Sequence, residues 1–291
     1  MNKIIYLLTF ICFASLWTSC SDDEPGKNSI FDTDPPARNE FDLWLLENFT
    51  YPYNINFKYR MEHIESSQTH TLVPAEYNKS IALAKLVKYL WLEVYDEAAG
   101  VHFTRSYIPR IIHLIGSAAY NSNKTMVLGT AEGGLKVTLY MVNDLDVDNV
   151  SIDFLNTYYF KTMHHEFNHI LTQKKKYDPD FQRISEADYI SSNWYQETNE
   201  TAHELGFVSN YAMKEYNEDF AEIFAVYLTS TQAEWDAILD TAGETGAPII
   251  LKKFNIVKKY LADSWDIDFD ELRNIVQRRS GEIYELDLKN L

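Results

Sequence analysis

Two rhythms of apolar and polar residues run through this chain. From Tyr53 to Tyr59 the apolar positions Tyr53, Ile55, Phe57 and Tyr59 alternate with Asn54, Asn56 and Lys58, the period of a half-buried strand. Phe41 to Phe49 reads instead as a short helix. Pro74 is expected to open a longer one, with Ile81, Ala84, Leu86, Leu90 and Val94 facing the core. Strands are predicted over Arg110–Ile115, Thr125–Leu128 and Leu135–Val142, with Gly133 and Gly134 as the turn before the last.

The second half reads as helix. Ile152 to about Lys175 carries Leu155, Tyr159 and Met163 along one side, and Lys174, Lys175 and Lys176 stand at its C-terminal end, where positive charge suits the helix dipole. Asp178 to Phe207 mixes polar and aromatic residues and is expected to wander over the surface. Beyond Tyr211, Asn217 is expected to cap a helix running to about Thr229, Pro248 to sit in the first turn of another, and Asp268 with Glu271 to form a capping box. Strands first and helices afterwards predict an α+β fold.

The N-terminus has the marks of export. Lys3 precedes an apolar run, Ile4 to Leu16, that is too short to span a bilayer. Leu16-Trp17-Thr18-Ser19-Cys20 resembles a lipobox, which implies cleavage before Cys20 and lipidation of that residue; several acyl chains would anchor it stably. Ser21-Asp22-Asp23-Glu24 resembles the acidic tag that directs some Gram-negative lipoproteins to the outer face of the outer membrane. Pro25, Gly26, Pro35 and Pro36 then read as a linker. The expected organisation is a signal peptide over 1–19, an acidic, proline-rich linker over 20–40 and a catalytic domain over 41–291, placed on the cell surface and touching the membrane through its lipid alone.

Composition removes several classes of function. Cys12 and Cys20 are the only cysteines, so the domain itself has no thiol for a disulfide, a metal or a nucleophile. A net charge of −17 argues against nucleic acid and anionic headgroups as partners.

The chemistry is concentrated in His165-Glu166-Phe167-Asn168-His169. On a helix, histidines four residues apart present both imidazoles on one face, with the carboxylate of Glu166 beside them, as zinc binding and general-base chemistry require. Three protein ligands are expected for a catalytic zinc, and Thr172 and Lys175 stand where a metzincin has glycine and histidine. A third ligand must come from elsewhere. Glu218 and Glu222 share one face of the predicted downstream helix, on which Ala221 and Ala225 permit close approach; either carboxylate qualifies. His203, beside Glu200 and Glu204, is a rival. His164 is expected to face away from the metal, and Asp219 to be a surface residue or a salt-bridge partner.

His165-Glu166-x-x-His169 followed by Glu218-x-x-Ala221-Glu222 resembles the gluzincin pattern, and in particular lethal-factor-type metallopeptidases. That resemblance implies Glu218 as third ligand, Glu222 as support for a ligand histidine, and Tyr211, seven residues before Glu218, as a group pointing into the site. With the lipobox and acidic tag, the chain resembles the substrate import-associated zinc metallohydrolase lipoproteins encoded beside TonB-dependent importers, which implies an importer complex as partner. Asn168 departs from the glycine common at its place.

The expected reaction is hydrolysis of a peptide or protein substrate, with Glu166 as general base. Gly134 to Tyr140 reads either as an edge strand to which an extended peptide adds or as an ordinary sheet strand. Two rival functions remain: a non-catalytic zinc-containing surface protein that captures a polypeptide or glycoprotein for import, and a zinc hydrolase of a non-peptide amide or ester.

Overall fold

Asn39 opens the first helix in the computed structural model, which describes residues 37–62, 70–121, 126–127, 129–132 and 134–291. The expected signal peptide, Cys20 and nearly all of the linker lie outside the described residues, as do Thr125, Leu128 and Gly133. Asn39 and Asp42 form a reciprocal capping box at the start of α1 (Glu40–Leu45), which continues through a π-helical turn (Leu46–Thr50) into α2 (Tyr51–Tyr53). Asn54 ends this helix in the left-handed region (φ 58°), so the strand predicted from Tyr53 to Tyr59 is only β1 (Asn56–Lys58). The alternating pattern persists in the burial of Ile55, Phe57 and Tyr59, although Ile55 and Tyr59 lie outside the strand.

The next helix begins at Tyr77, three residues later than Pro74 suggested: α3 (Tyr77–Val87) passes through a second π-helical turn (Lys88–Leu92) into α4 (Glu93–Ala99), and Gly100 separates it from α5 (Val101–Tyr107). The chain then forms β2 (Ile111–Leu114), the two-stranded ribbon of β3 (Ala119–Tyr120) and β4 (Met126–Val127), then β5 (Gly129–Glu132) and β6 (Lys136–Leu139). The main sheet has the order β1-β2-β6-β5: Ile112 lies between Phe57 and Val137 in parallel pairings, and β5 joins β6 antiparallel. The segment Gly134–Tyr140 is therefore an interior strand, paired on both sides. β5, which its sequence did not announce, is the edge on that flank.

Ser151 caps α6 (Ile152–Leu155), which runs through a third π-helical turn (Asn156–Phe160) into α7 (Lys161–Lys174). Phe167, on the back of α7, meets Trp91, Tyr95 and Phe103 at ring distances of 6.1, 4.5 and 6.0 Å, which seats the helix on α4 and α5. The region expected to wander over the surface holds α8 (Asp180–Ile184) and α9 (Asn199–Glu204), and it buries Phe181, Ala202 and Phe207 completely. Isolated apolar residues among polar ones gave no period to read.

Helix α10 (Tyr216–Thr229) starts one residue before Asn217, with Glu215 in the cap position and no side-chain cap bond. Asn217 instead accepts from the Tyr177 hydroxyl at 2.9 Å. Thr231 and Glu234 make a capping box for α11 (Gln232–Trp265), which is interrupted at Gly243, where φ 63° and ψ −160° suit only glycine. Pro248 follows that break by five residues, past the first turn. Asp268 accepts from the amides of Asp270 and Glu271 to start α12 (Phe269–Gly281). Phe269 stacks on Phe224 of α10 at 5.5 Å.

Residues 39–291 form one unit, an α+β fold whose main core draws buried residues from both the sheet and the helices. No helix among the described residues is long and apolar enough to cross a membrane. α9 and α11 approach so closely that a Cβ on Gly246 would lie 2.1 Å from the carbonyl oxygen of His203. Gly246→Ala is expected to cost about 1–3 kcal/mol, since backbone must move to admit the methyl. Chemical denaturation of parent and variant measures it, and equal midpoints would contradict the close approach.

Candidate metal centre

Helical periodicity alone points His165 and His169 the same way, and α10 completes the cluster. Glu218 Oε2 lies 2.9 Å from His165 Nε2 and 3.1 Å from His169 Nε2, and the two nitrogens are 3.0 Å apart. Tetrahedral ligands at ~2.0–2.1 Å from zinc stand roughly 3.3 Å from one another, so a small outward movement admits the ion. Three lone-pair donors facing one point is also a poor arrangement without a cation, and this donor set of two imidazoles and a carboxylate suits zinc. Among the described residues no fourth histidine, cysteine or carboxylate joins the group.

His165 is oriented from behind. Its Nδ1–H donates to Glu222 Oε1 at 2.9 Å, which leaves Nε2 free to face the cluster. Glu222, nearly fully buried, is held by an ion pair with Lys161 at 2.9 Å and by the hydroxyl of Ser209. The other oxygen of Glu218 takes an ion pair from Lys214 at 2.7 Å. Burial opposes ionisation of both carboxyls, yet hydrogen bonds from the imidazoles and the neighbouring lysines hold each well below its usual range. Burial likewise opposes a charge on His165, but its two carboxylate partners raise it to about 9.

Glu166 stands outside the ligand set. It is half-buried, and burial raises its carboxyl against the pull of His165 and His169, the direction that makes a carboxylate a better proton acceptor near neutral pH. Tyr211, in a 3₁₀ turn (Tyr211–Lys214) just before α10, has its ring 5.7 Å from that of His165. Its hydroxyl accepts from Lys214 at 3.2 Å, and burial raises its pKa, so it keeps its proton.

The remaining candidates are placed elsewhere. His164 pairs with the Tyr95 hydroxyl at 2.7 Å in the core and is pushed down to about 3 by burial, hence neutral. His203 donates from Nε2 to the carbonyl of Val208 at 3.2 Å and takes no part in the cluster. Asp219 is completely buried rather than a surface residue, and it pairs with Lys253. Lys174, Lys175 and Lys176 are exposed at the end of α7, and the ammonium of Lys175 lies 4.2 Å from the centre of the Trp265 ring.

Lys161, Ser209 and Lys214 were missed by reading the sequence. One of them carried a signal: Lys161 lies four residues before His165 on the same face of α7, whereas Lys214 sits in the 3₁₀ turn and is separated from α10 by the extended Glu215. Ser209 lies in a loop and carried none.

A groove of about 770 Å³ opens beside the cluster, lined by Glu166, His169, Gln173, Lys176, Tyr177 and Tyr216 among others. Gly134, in the turn between β5 and β6, borders it. Two histidines of one helix and a glutamate of a second, aimed at one point in an α+β fold beside an open groove, define a zinc site of the metallopeptidase class. Residues 34–270 match the family described as "Putative zinc-binding metallo-peptidase", and the chain belongs to that family. Zinc is its cofactor. The chain is similar to the protein in a "Crystal structure of a putative zinc-binding metallo-peptidase from Bacteroides caccae ATCC 43185", at 52% identity over 90% of this chain and 99% of that one, with a TM-score of 0.78. No curated protein matches it.

Proposed function

We propose that the protein is a zinc-dependent hydrolase of peptide bonds, with His165, His169 and Glu218 as ligands and Glu166 as general base. One observation carries this reading: three ligand atoms mutually within 3.1 Å, with no fourth among the described residues, beside a groove that reaches Glu166. Three protein ligands are what a catalytic zinc keeps, whereas a structural zinc closes with four. The same count speaks against the non-catalytic capture protein.

Zinc bound there supplies Lewis acidity, lowering the pKa of a water towards about 7 and polarising the scissile carbonyl. Glu166 takes the proton from the attacking water and delivers it to the departing amine. Tyr211, protonated and turned towards Glu218, donates to the oxygen on which charge develops. Glu222, Ser209 and Lys161 keep the His165 ring from turning. The free edge of β5, rather than the interior strand after Gly134, is where an extended substrate adds by main-chain hydrogen bonds, since the β5–β6 turn borders the groove.

The lipobox at Cys20 and the acidic residues after it support placement as a surface lipoprotein of the outer membrane, and the resemblance to import-associated lipoproteins supports a TonB-dependent importer as partner. Digestion of an unbiased peptide library, with zinc measured on the same sample, tests the reaction. Full zinc occupancy with every peptide intact, and a small amide or ester cleaved instead, would transfer the site to the non-peptide reading. Tyr211→Phe is expected to lower kcat roughly 10–100-fold while leaving zinc content unchanged. An unaltered kcat would remove Tyr211 from the reaction.

A further inference from the structure

Behind the turn that carries the third ligand lies an ion pair closed off from solvent. Lys253 of α11 and Asp219 of α10 both have 0% side-chain exposure, with Nζ 2.7 Å from Oδ2. The ammonium also donates to the carbonyl of Gly206 at 2.9 Å and lies 3.7 Å from the centre of the Phe207 ring. The same carboxylate oxygen accepts from the Tyr189 hydroxyl at 2.9 Å. Neither charge lines the groove, and neither enters the reaction proposed above.

Such a pair is an expensive way to hold a core together. Desolvation offsets most of the attraction, and apolar residues of similar volume often serve stability equally well. What the pair does supply is direction. Glu218 sits in the first turn of α10, where no side chain caps the free amides, and helix ends left uncapped fray. The other restraint on its carboxylate, Lys214, is itself partly exposed (38%). Asp219, the next residue along, is tied to α11, to the Gly206–Phe207 loop through Lys253, and to Tyr189. These ties come from three separate stretches of chain, so the turn has little freedom to rotate about the helix axis.

We infer that Lys253, acting through Asp219, is a positioning residue for the metal: it clamps the first turn of α10 so that the Glu218 carboxylate meets His165 and His169. The inference rests on those three residues holding zinc. Partners one shell removed from a metal typically change its affinity 10–100-fold, by fixing the orientation of a ligand.

The test is zinc affinity, measured by competition with a chromophoric chelator well below each variant's melting temperature, with melting of the chelator-stripped protein recorded alongside. Asp219→Asn combined with Lys253→Met removes both charges without stranding either. It is expected to retain the native circular dichroism spectrum and bind zinc about 10–100-fold more weakly. Tyr189→Phe, which deletes a single bond to Asp219, is expected to weaken zinc severalfold. Affinities within twofold of the parent, even with lowered melting, would show a purely structural role and overturn the inference. Should the double variant not fold, Tyr189→Phe decides in the same way. Parent protein that takes up no zinc overturns the metal site and this inference together; a parent that binds beside an unaffected variant overturns the inference alone.

Discussion

Glu166→Gln protein is expected to hold zinc as tightly as the parent and to lose at least about 10²–10⁴-fold in peptide hydrolysis. The two halves of that expectation rest on different geometry. Zinc is retained because Glu166 is not among the three converging groups, and glutamine has the same shape. Hydrolysis is lost because the amide cannot accept the proton that the attacking water must give up. The half-buried carboxyl is raised by burial against the pull of the two imidazoles, the direction that strengthens it as a base; the other two carboxylates of the cluster shift the opposite way. Glu218 and Glu222 are held well below their usual range by their partners, so neither is a substitute base. Zinc content and kcat/KM on one preparation decide the matter. Undiminished cleavage would remove Glu166 from the mechanism, and lost zinc would place it among the ligands.

How far the sequence could be read depended on whether the determining contacts were local. The alignment of His165 with His169 follows from helical periodicity within five residues, and the continuous helical stretch from α6 through α7 that carries them was expected at nearly its observed bounds. The shared face of Glu218 and Glu222 was equally readable. Their division of labour was open by spacing and implied only by the family resemblance; it is the packing of α10 on α7 that presents Glu218 to both Nε2 atoms and Glu222 to Nδ1 of His165. Strand pairing is non-local, and there the sequence left the choice open. Lys136–Leu139 carries no mark that β2 lies on one side and β5 on the other, so edge strand and ordinary sheet strand both stayed open until the pairing decided for the second. For Asp219 the expected alternatives were a surface position or a salt bridge, and the salt bridge holds; its complete burial was not legible for a related reason. A carboxylate is buried only when a partner such as Lys253, distant in sequence, arrives to meet it.

Removing zinc is expected to lower the melting temperature substantially, and His169→Ala is expected to abolish the difference. Metal bound only by the folded state stabilises it by about 4 kcal/mol at a thousandfold excess over Kd. For a chain of this size each kcal/mol moves the midpoint by about 2–4 °C, giving a shift of roughly 8–16 °C. The geometry says why the metal-free site gains nothing comparable: two imidazole nitrogens 3.0 Å apart share one carboxylate oxygen, so at most one of them can be well satisfied. His169 is the ligand to remove. His165 also pairs with Glu222, and its loss would take one partner from each of two buried carboxylates, confusing loss of metal with loss of fold. His169 has no tie to Glu222 and is only half-buried, so alanine there deletes a ligand and little else. Differential scanning fluorimetry of parent and variant, each with and without chelator, separates the outcomes. A parent that melts at the same temperature in both conditions, or a His169→Ala protein that still carries one equivalent of zinc, would show that these side chains do not hold the metal.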